Sequence, residues 1–165
     1  MCRICRGEYD NTLTTLDCRY CHDIKTIPYL PNLQEIFCDG CINLSEIPQL
    51  PKLQGLHCSD CTALQYIPAM PQLRKLTRDN TRLLKIPTMP ELWNLNCERC
   101  PQLFEISPMP KLQYLHCINS PRLKNLSDMP LVRNIYCHGC LDLRSISNMP
   151  KLRYLYCGRC PVLGD

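Results

Sequence analysis

A twenty-residue pattern repeats along almost the whole chain and constrains its fold more than any other feature. Leucine or isoleucine, cysteine and proline recur in one order, L-x-x-L-x-C-x-x-C-x-x-L-x-x-I-P-x-L/M-P-x. Eight copies begin at Leu13, Leu33, Leu53, Leu73, Leu92, Leu112, Val132 and Leu152. A fixed period of this length is the signature of a solenoid, in which each repeat forms one turn and covers its neighbours. We therefore predict about seven and a half turns over residues 13–165, after a stub or partial cap at residues 1–12.

The spacing of apolar residues predicts the shape of each turn. Leu16 and Cys18 alternate at period two, as their counterparts do in later copies, which indicates a short strand with both side chains pointing inward. Proline recurs in one register of the return segment, at Pro31, Pro51, Pro71, Pro90, Pro110, Pro130 and Pro150. Because proline fixes φ and removes a backbone donor, we expect that segment to be extended or polyproline-like. The prediction is an all-β, helix-poor solenoid with a parallel sheet on its concave face and a proline-rich convex side.

The fourth copy is one residue shorter than the others, with 19 residues between Leu73 and Leu92. If the missing residue lies directly after Leu76, Thr77 and Asn80 take the two inward cysteine positions. If it lies later, Arg78 and Thr81 take them. We prefer the first alternative, because it avoids an inward arginine without a partner. It predicts a bulge or kink in the sheet near residues 76–82.

Composition narrows the class of protein. The net charge of +4 comes from Lys and Arg residues scattered through every repeat, which argues against a nucleic-acid-binding surface. The sequence has neither an apolar run of membrane-spanning length nor a secretory signal. Fifteen cysteines without a secretion signal favour a reducing compartment. We therefore expect an intracellular, cytoplasmic protein with no membrane association.

The repeat unit L-x-x-L-x-(L/C)-x-x-(N/C)-x-x-L resembles the leucine-rich repeat over residues 13–163. Its twenty-residue length and its I-P-x-L-P segment are similar to the short bacterial-effector subtype, of the YopM and IpaH kind. Similar cysteine-bearing turns occur in plant disease-resistance proteins and in large DNA viruses. The resemblance implies a right-handed horseshoe that binds proteins through its concave face, in the cytoplasm or, for an effector or viral protein, in that of a host.

This chain departs from that family at several positions. Cysteine stands where the family has a hydrogen-bonding asparagine, at Cys21, Cys41, Cys61, Cys100, Cys140 and Cys160. We expect a thiol to make that hydrogen bond poorly but to pack well. The helical cap and the ubiquitin-ligase domain of some effectors are missing, so ligase activity does not follow from the resemblance. No cofactor is implied.

The cysteines also match four-cysteine zinc patterns, for example Cys18-x2-Cys21-x16-Cys38-x2-Cys41. Two inward cysteines that recur every twenty residues generate this spacing automatically, so we interpret them as core residues. Cys2 and Cys5 lie outside the repeat. They either join Cys18 and Cys21 around zinc or form part of a capping turn, and the sequence leaves both alternatives open.

The outward positions of the strands are the candidate binding surface, since repeat proteins bind through such positions. Aromatic side chains concentrate there in the second half of the chain, at Trp93, Tyr114, His116, Tyr136, Tyr154 and Tyr156. Tyrosine is enriched at interfaces, although cross-strand aromatic pairs also stabilise sheets. Nearby Arg133, Arg153 and Arg159 suggest an acidic partner. His57 and His116 share an outward position, and we expect both to be exposed to solvent.

Three functions are compatible with these observations. The preferred hypothesis is a non-enzymatic module that binds a partner protein through its concave face. The alternative is a zinc- or redox-responsive protein that uses its stacked C-x-x-C pairs. Self-association through the ends of the solenoid is also compatible, because neither end of the sequence shows a polar cap.

Overall fold

The structure, a computed structural model, describes residues 2–163 and is a helix-poor solenoid of parallel strands. It begins with one short helix, α1 (Arg3–Arg6). Strands then follow in chain order: β1 (Thr15–Asp17), β2 (Glu35–Phe37), β3 (Gly55–His57), β4 (Lys75–Thr77), β5 (Lys85–Ile86), β6 (Asn94–Asn96), β7 (Glu105–Ile106), β8 (Tyr114–His116), β9 (Asn125–Leu126), β10 (Asn134–Tyr136), β11 (Ser145–Ile146) and β12 (Tyr154–Tyr156). Met1, the first residue of the predicted stub at 1–12, and Asp165, the last residue of the predicted repeat region at 13–165, lie outside the described residues.

Eight of these strands form one parallel sheet, which we call the large sheet. Its order is β1-β2-β3-β4-β6-β8-β10-β12, so each turn contributes one strand beside that of the preceding turn. Equivalent residues pair directly, as Leu16 does with Ile36 and Ile135 with Leu155. The predicted stacking of identical strands is therefore confirmed, with about seven turns of roughly twenty residues.

The core is a set of side-chain columns that run along the solenoid. Leu16, Ile36 and Leu56 form part of the first column, and Cys38 and Cys58 form part of the next. All five side chains are fully buried. Fully burying such an aliphatic side chain contributes roughly 1.5–3 kcal/mol. Burial depends on a neighbouring turn on each side, because Leu155 in the last turn is 41% exposed.

The return segments contain a second parallel sheet, the small sheet, with the order β11-β9-β7-β5. We expected extended backbone there but no second sheet. Two of its strand pairings are extended by the serine that follows the inward isoleucine, because the serine N–H donates to the preceding turn. Ser107 donates to the Ile86 carbonyl at 3.0 Å, and Ser147 donates to the Leu126 carbonyl at 2.9 Å. In earlier turns that position is proline, at Pro28, Pro48, Pro68 and Pro87, which has no N–H to donate.

The fourth turn contradicts the alternative that we preferred from the sequence. Strand β4 pairs residue for residue with β3 and β6, so Leu76 stays inward, Thr77 lies in the outward row, and the sheet has no bulge at this strand. Arg78 and Thr81 take the two cysteine positions and are buried. The missing residue therefore lies after Thr81, in the turn outside the sheet. An unbroken sheet register outweighs the cost of turning an arginine inward.

Each strand of the large sheet is followed by a residue in the left-handed backbone region. These residues are Tyr20, Gly40, Asp60, Asn80, Arg99, Asn119, Gly139 and Arg159, with φ between 50° and 72°. Their N–H groups extend the sheet, as in the 2.8 Å bond from Arg99 to the Ile118 carbonyl. Glycine and asparagine adopt this region at low cost, whereas tyrosine and arginine are strained there.

Helix α1 covers the N-terminal end of the core. Cys2 is its N-cap, and Gly7 ends it in the left-handed region with φ 71°. Cys2, Ile4 and Cys5 pack, partly buried, against the core. The first turn therefore has a neighbour on its outer side.

Candidate functional site

The exposed surface of the large sheet consists of two rows of outward side chains. One row holds the first residue of each strand and runs from Thr15 to Tyr154, and the other holds the third residue and runs from Asp17 to Tyr156. The inward leucine or isoleucine between them fixes both rows in register. The surface is therefore rigid, and its chemistry is set by residues that do not contribute to the core.

The second half of this surface carries the aromatic residues predicted from the sequence. We call Trp93, Tyr114, His116, Tyr136, Tyr154 and Tyr156 the aromatic patch. They lie on, or directly before, the four adjacent strands β6, β8, β10 and β12. Three of them form a continuous run of contacts, since the His116 and Tyr136 rings stack at 4.3 Å and the Tyr136 and Tyr154 rings lie 5.2 Å apart. Trp93 packs edge-on against Tyr114 at 6.1 Å and receives the Lys75 ammonium 5.3 Å from its ring centre.

His138 also lies beside the aromatic patch, although it was not among the residues predicted from the sequence. Its ring stacks on that of Tyr156 at 5.3 Å, with 10° between the planes. Its Nδ1 is buried without a hydrogen-bond partner among the described residues. Gly158 leaves room for the ring, because a Cβ at that position would lie 2.9 Å from Nδ1. The spacing of twenty residues between His138 and Gly158 was the available signal.

The expectation that His57 and His116 are exposed to solvent was wrong. Both are half-buried, because each ring stacks on an aromatic neighbour in the adjacent turn. His57 stacks on Phe37 at 4.9 Å, and His116 stacks on Tyr136. His116 also lies 3.7 Å from a carboxylate oxygen of Glu98.

Exposed arginines border the aromatic patch on one edge. Arg133 and Arg153 precede β10 and β12 by one residue, and both line a surface depression of about 410 Å³. Within residues 2–163 neither forms an ion pair, whereas Lys111 nearby is paired with Glu91 at 2.7 Å. Arg159, the third predicted arginine, lies in the turn after β12 and is also exposed. A guanidinium group has the geometry to bind a carboxylate or phosphate through two hydrogen bonds.

The first half of the same surface is chemically different. Its outward row begins with Asp17, Phe37 and His57, and the Arg19 guanidinium binds the Asp17 carboxylate at 2.6 Å. Arg19 also lies 5.7 Å from the centre of the Phe37 ring. The hydrogen bond from Arg19 lowers the pKa of Asp17, with burial acting against it. The charge of Asp17 is therefore balanced within the chain.

The second cysteine of each repeat makes the hydrogen bond that we expected a thiol to make poorly. Each Sγ lies close to the carbonyl oxygen 23 or 22 residues earlier, in the preceding turn. The contacts are Cys41 to Cys18 at 2.9 Å, Cys61 to Cys38 at 3.1 Å, Cys100 to Arg78 at 3.4 Å, Cys140 to Cys117 at 3.2 Å and Cys160 to Cys137 at 3.1 Å. Ser120, in the same position, donates to the Cys97 carbonyl at 3.2 Å. We call this series the thiol ladder, and it satisfies buried carbonyl groups between turns.

The first cysteine of each repeat is buried and unreactive, except for Cys157 in the last turn, which is partly exposed. Burial raises the pKa of the Cys58 and Cys97 thiols well above the ordinary value. The thiolate is the reactive form of cysteine, so these thiols are poor nucleophiles and poor metal ligands. All fifteen cysteines are free thiols. These observations support the interpretation of the repeat cysteines as core residues.

Three cysteines at the N-terminal end differ from all the others that the structure describes. The Sγ atoms of Cys2, Cys5 and Cys21 lie within 4.8 Å of one another. Cys5 lies 3.7 Å from Cys2 and 3.7 Å from Cys21. Cys18, the fourth residue of the zinc alternative, is not part of this group and lies in the core at 2% exposure.

Two thiols of this group, Cys5 and Cys21, differ in how readily they lose a proton. Burial acts to raise the pKa of Cys21, but hydrogen bonds from the backbone N–H and thiol of Cys2 and from the N–H of Asp23 lower its pKa to about 7. Burial, followed by the hydrogen bond with Cys21, raises the pKa of Cys5 to about 12. Of these two thiols, Cys21 is therefore the one that ionises more readily.

Among residues 2–163, no helix has the length and apolar character that crossing a membrane requires. No family model matches the chain, and comparisons with curated proteins and with solved structures found no match.

Proposed function

We propose that this chain is a non-enzymatic protein-binding module of the leucine-rich-repeat kind, which binds an acidic partner through the aromatic patch. The observation that carries the proposal is the continuous aromatic run His116, Tyr136 and Tyr154 beside the unpaired Arg133 and Arg153. Tyrosine contributes large contact area and loses little side-chain entropy on binding. Stacking already restrains these rings, which lowers that entropic cost further.

The exposure of the patch supports binding over a purely structural role. A ladder that only stabilises the sheet needs its rings to contact one another, and Tyr136 meets that description. Tyr154 and Tyr156 remain 48% and 45% exposed while they also contact neighbouring rings. Trp93 borders a depression of about 300 Å³ that gives a partner side chain a place to insert, and its other lining residues are Arg74, Glu91, Lys111, Gln113 and Leu131. Aromatic anchors beside shallow pockets are typical of binding hot spots.

The burial of the repeat cysteines argues against the redox-responsive alternative for the core columns. A redox-sensing cysteine is accessible and has a lowered pKa, whereas Cys58 and Cys97 are fully buried with raised pKa values. The free thiols support our proposal of a reducing, intracellular compartment.

Affinity capture with matched variants tests the proposed surface. Tyr136→Ala/Tyr156→Ala removes two rings from the patch, and Tyr29→Ala/Tyr66→Ala removes two exposed tyrosines from outside the large sheet. We expect the partner to be lost from the first variant and retained by the second. Capture of the same partner by both variants at wild-type yield would refute the patch as the binding surface.

The charge of the partner is tested separately with Arg133→Glu/Arg153→Glu. For an acidic partner we expect slower association and a weaker dependence of the association rate on salt, since exposed charges mainly steer encounter. Surface plasmon resonance at two ionic strengths measures both quantities. Unchanged association would show that the partner is not acidic at this edge.

Self-association remains a second candidate, supported by the exposed apolar side chains of the last turn. Leu155 and Val162 are 41% and 51% exposed, and β12 pairs on one edge only with β10. Light scattering at increasing protein concentration tests it, and a constant monomer mass would exclude it.

A further inference from the structure

The N-terminal cysteine cluster has a geometry that the packing of a cap alone does not explain. Both measured Sγ–Sγ distances, Cys2 to Cys5 and Cys5 to Cys21, are 3.7 Å. A tetrahedral zinc ion with Zn–S bonds of about 2.3 Å has sulfur–sulfur edges of about 3.8 Å. Two of the three sulfur–sulfur distances therefore already match the edges of such a tetrahedron, and the third is at most 4.8 Å.

Local backbone structure holds two of these thiols in place. The short helix α1 places Cys2, its N-cap, and Cys5 three residues apart, so both side chains lie on one face. The N–H of Arg6 donates to the Cys2 carbonyl at 3.2 Å. After the helix, the N–H groups of Gly7 and Glu8 donate to the carbonyls of Ile4 and Arg3 at 3.0 and 2.9 Å. The pair is therefore presented by a closed turn rather than by a free terminal segment.

The third thiol is available because of its position in the thiol ladder. Every later member of the ladder directs its Sγ to a carbonyl of the preceding turn, as Cys41 does to Cys18. Cys21 is in the first turn, so no preceding turn supplies a carbonyl. Its Sγ instead accepts the N–H of Cys2 at 3.4 Å and contacts Cys5. The Cys21 Sγ therefore accepts a backbone N–H in place of donating to a carbonyl.

We propose that Cys2, Cys5 and Cys21 bind one Zn²⁺ ion as thiolates, with the fourth position open to solvent. Zinc displaces the protons of the three thiols, and its positive charge stabilises the three thiolates. Thiolate ligands select zinc over the harder divalent ions. Cys2 and Cys5 are partly exposed, which gives the ion a path to the site. The inference concerns the cap and does not depend on the proposed protein-binding function.

The matched control is the C-x-x-C pair of the last turn. Cys157 and Cys160 have the same spacing and the same partial exposure as Cys2 and Cys5, but they are not part of a three-cysteine group among the described residues. Zinc content is measured by elemental mass spectrometry on full-length protein purified in a non-thiol reductant without chelator. We expect about one zinc per chain in the wild type and in Cys157→Ser/Cys160→Ser, and loss of zinc in Cys2→Ser/Cys5→Ser. Equal zinc in all three proteins, or none in the wild type after zinc is added, would overturn the proposal.

Two further measurements keep the test independent of folding. Zinc is expected to raise the thermal unfolding midpoint of the wild type, and a strong chelator to reverse that shift, without any substitution. A midpoint that does not respond to zinc would count against the site. Cobalt substitution reports the ligand set through its thiolate charge-transfer and tetrahedral ligand-field bands. These bands are expected to survive Cys18→Ala and to disappear in Cys21→Ser, whereas their loss in Cys18→Ala would show that the ligand set is wrong.

Discussion

The first four turns and the last four turns share the inward leucine and isoleucine columns and, apart from the shorter fourth turn, one period. They differ on both exposed sides, the large sheet and the return segments. In the return segment, proline at Pro28, Pro48, Pro68 and Pro87 gives way to serine at Ser107, Ser127 and Ser147, and the small sheet runs through the serine-bearing turns. On the large sheet, Asp17, Phe37 and His57 give way to Tyr136 and Tyr156. The inward columns therefore fix the solenoid, while the outward positions are free to differ between halves.

The largest expected effect comes from cavities in the columns that both halves share. Ile36→Ala and Ile135→Ala each remove a fully buried side chain, and we expect each to cost about 2–5 kcal/mol of unfolding free energy. Chemical denaturation measures both. Leu155→Ala is the control, since its side chain is already 41% exposed and its loss is expected to cost clearly less. Very different costs for Ile36 and Ile135 would show that the two halves do not share one core.

The junction between the halves contains a buried charge that the repeat does not need. The Arg78 side chain is fully buried; its Nη2 donates to Thr81 at 3.1 Å and contacts Cys100 at 3.6 Å. Its Nε and Nη1 have no partner among the described residues. Replacing buried charged groups with apolar ones of similar size is often stabilising by about 1–4 kcal/mol. We expect Arg78→Met to raise the midpoint of denaturation, and Arg82→Met, at an exposed position, to leave it unchanged. A less stable Arg78→Met protein would mean that the guanidinium is satisfied.

The return segments of the two halves differ by one backbone N–H donor in each turn, which serine has and proline lacks. Ser107→Pro removes the N–H that binds the Ile86 carbonyl, and we expect it to cost about 1 kcal/mol, a typical net value for one hydrogen bond. Pro48→Ser supplies an N–H opposite the Ile27 carbonyl and is expected to extend pairing into the first half. Amide hydrogen exchange measures both changes. Protection at residues 105–106 that survives Ser107→Pro would show that the donor does not determine the sheet.

The smallest expected effect is an acid sensitivity confined to the first half. The Arg19 hydrogen bond lowers the pKa of Asp17 below its ordinary value of 3.8. A lowered folded-state pKa stabilises the fold above the ordinary value, and this contribution is lost as pH falls through the folded-state pKa. The pair is half-exposed, so solvent screens it strongly. Asp17→Asn should therefore narrow the stability difference between pH 6 and pH 3 slightly, and a wider difference would contradict the assignment.

The inward columns and the parallel register were predictable from the sequence, because the period-two spacing of leucine and cysteine repeats at a fixed interval. The fourth turn was not, since we gave the penalty for burying Arg78 more weight than the continuity of the strand. The small sheet had a signal in Ser107, Ser127 and Ser147 that the proline pattern concealed. The left-handed residues that follow the strands also had a signal in the sequence, namely the glycines Gly40 and Gly139. The cluster of Cys2, Cys5 and Cys21 required the structure, because the sequence pattern gave Cys18 equal standing.

The thiol ladder and the buried first-register cysteines also equip the chain with its own reporters of local opening. A buried thiol reacts with a small alkylating reagent only when its turn opens, so the modification rate of each cysteine measures how often that turn frays. Partly exposed Cys157 should be labelled within the folded state, and Cys58 only after opening. The fourth turn contains no cysteine and would be silent in such an experiment. In the turns that contain cysteine, mass spectrometry of the alkylated protein can measure local opening turn by turn without any introduced probe.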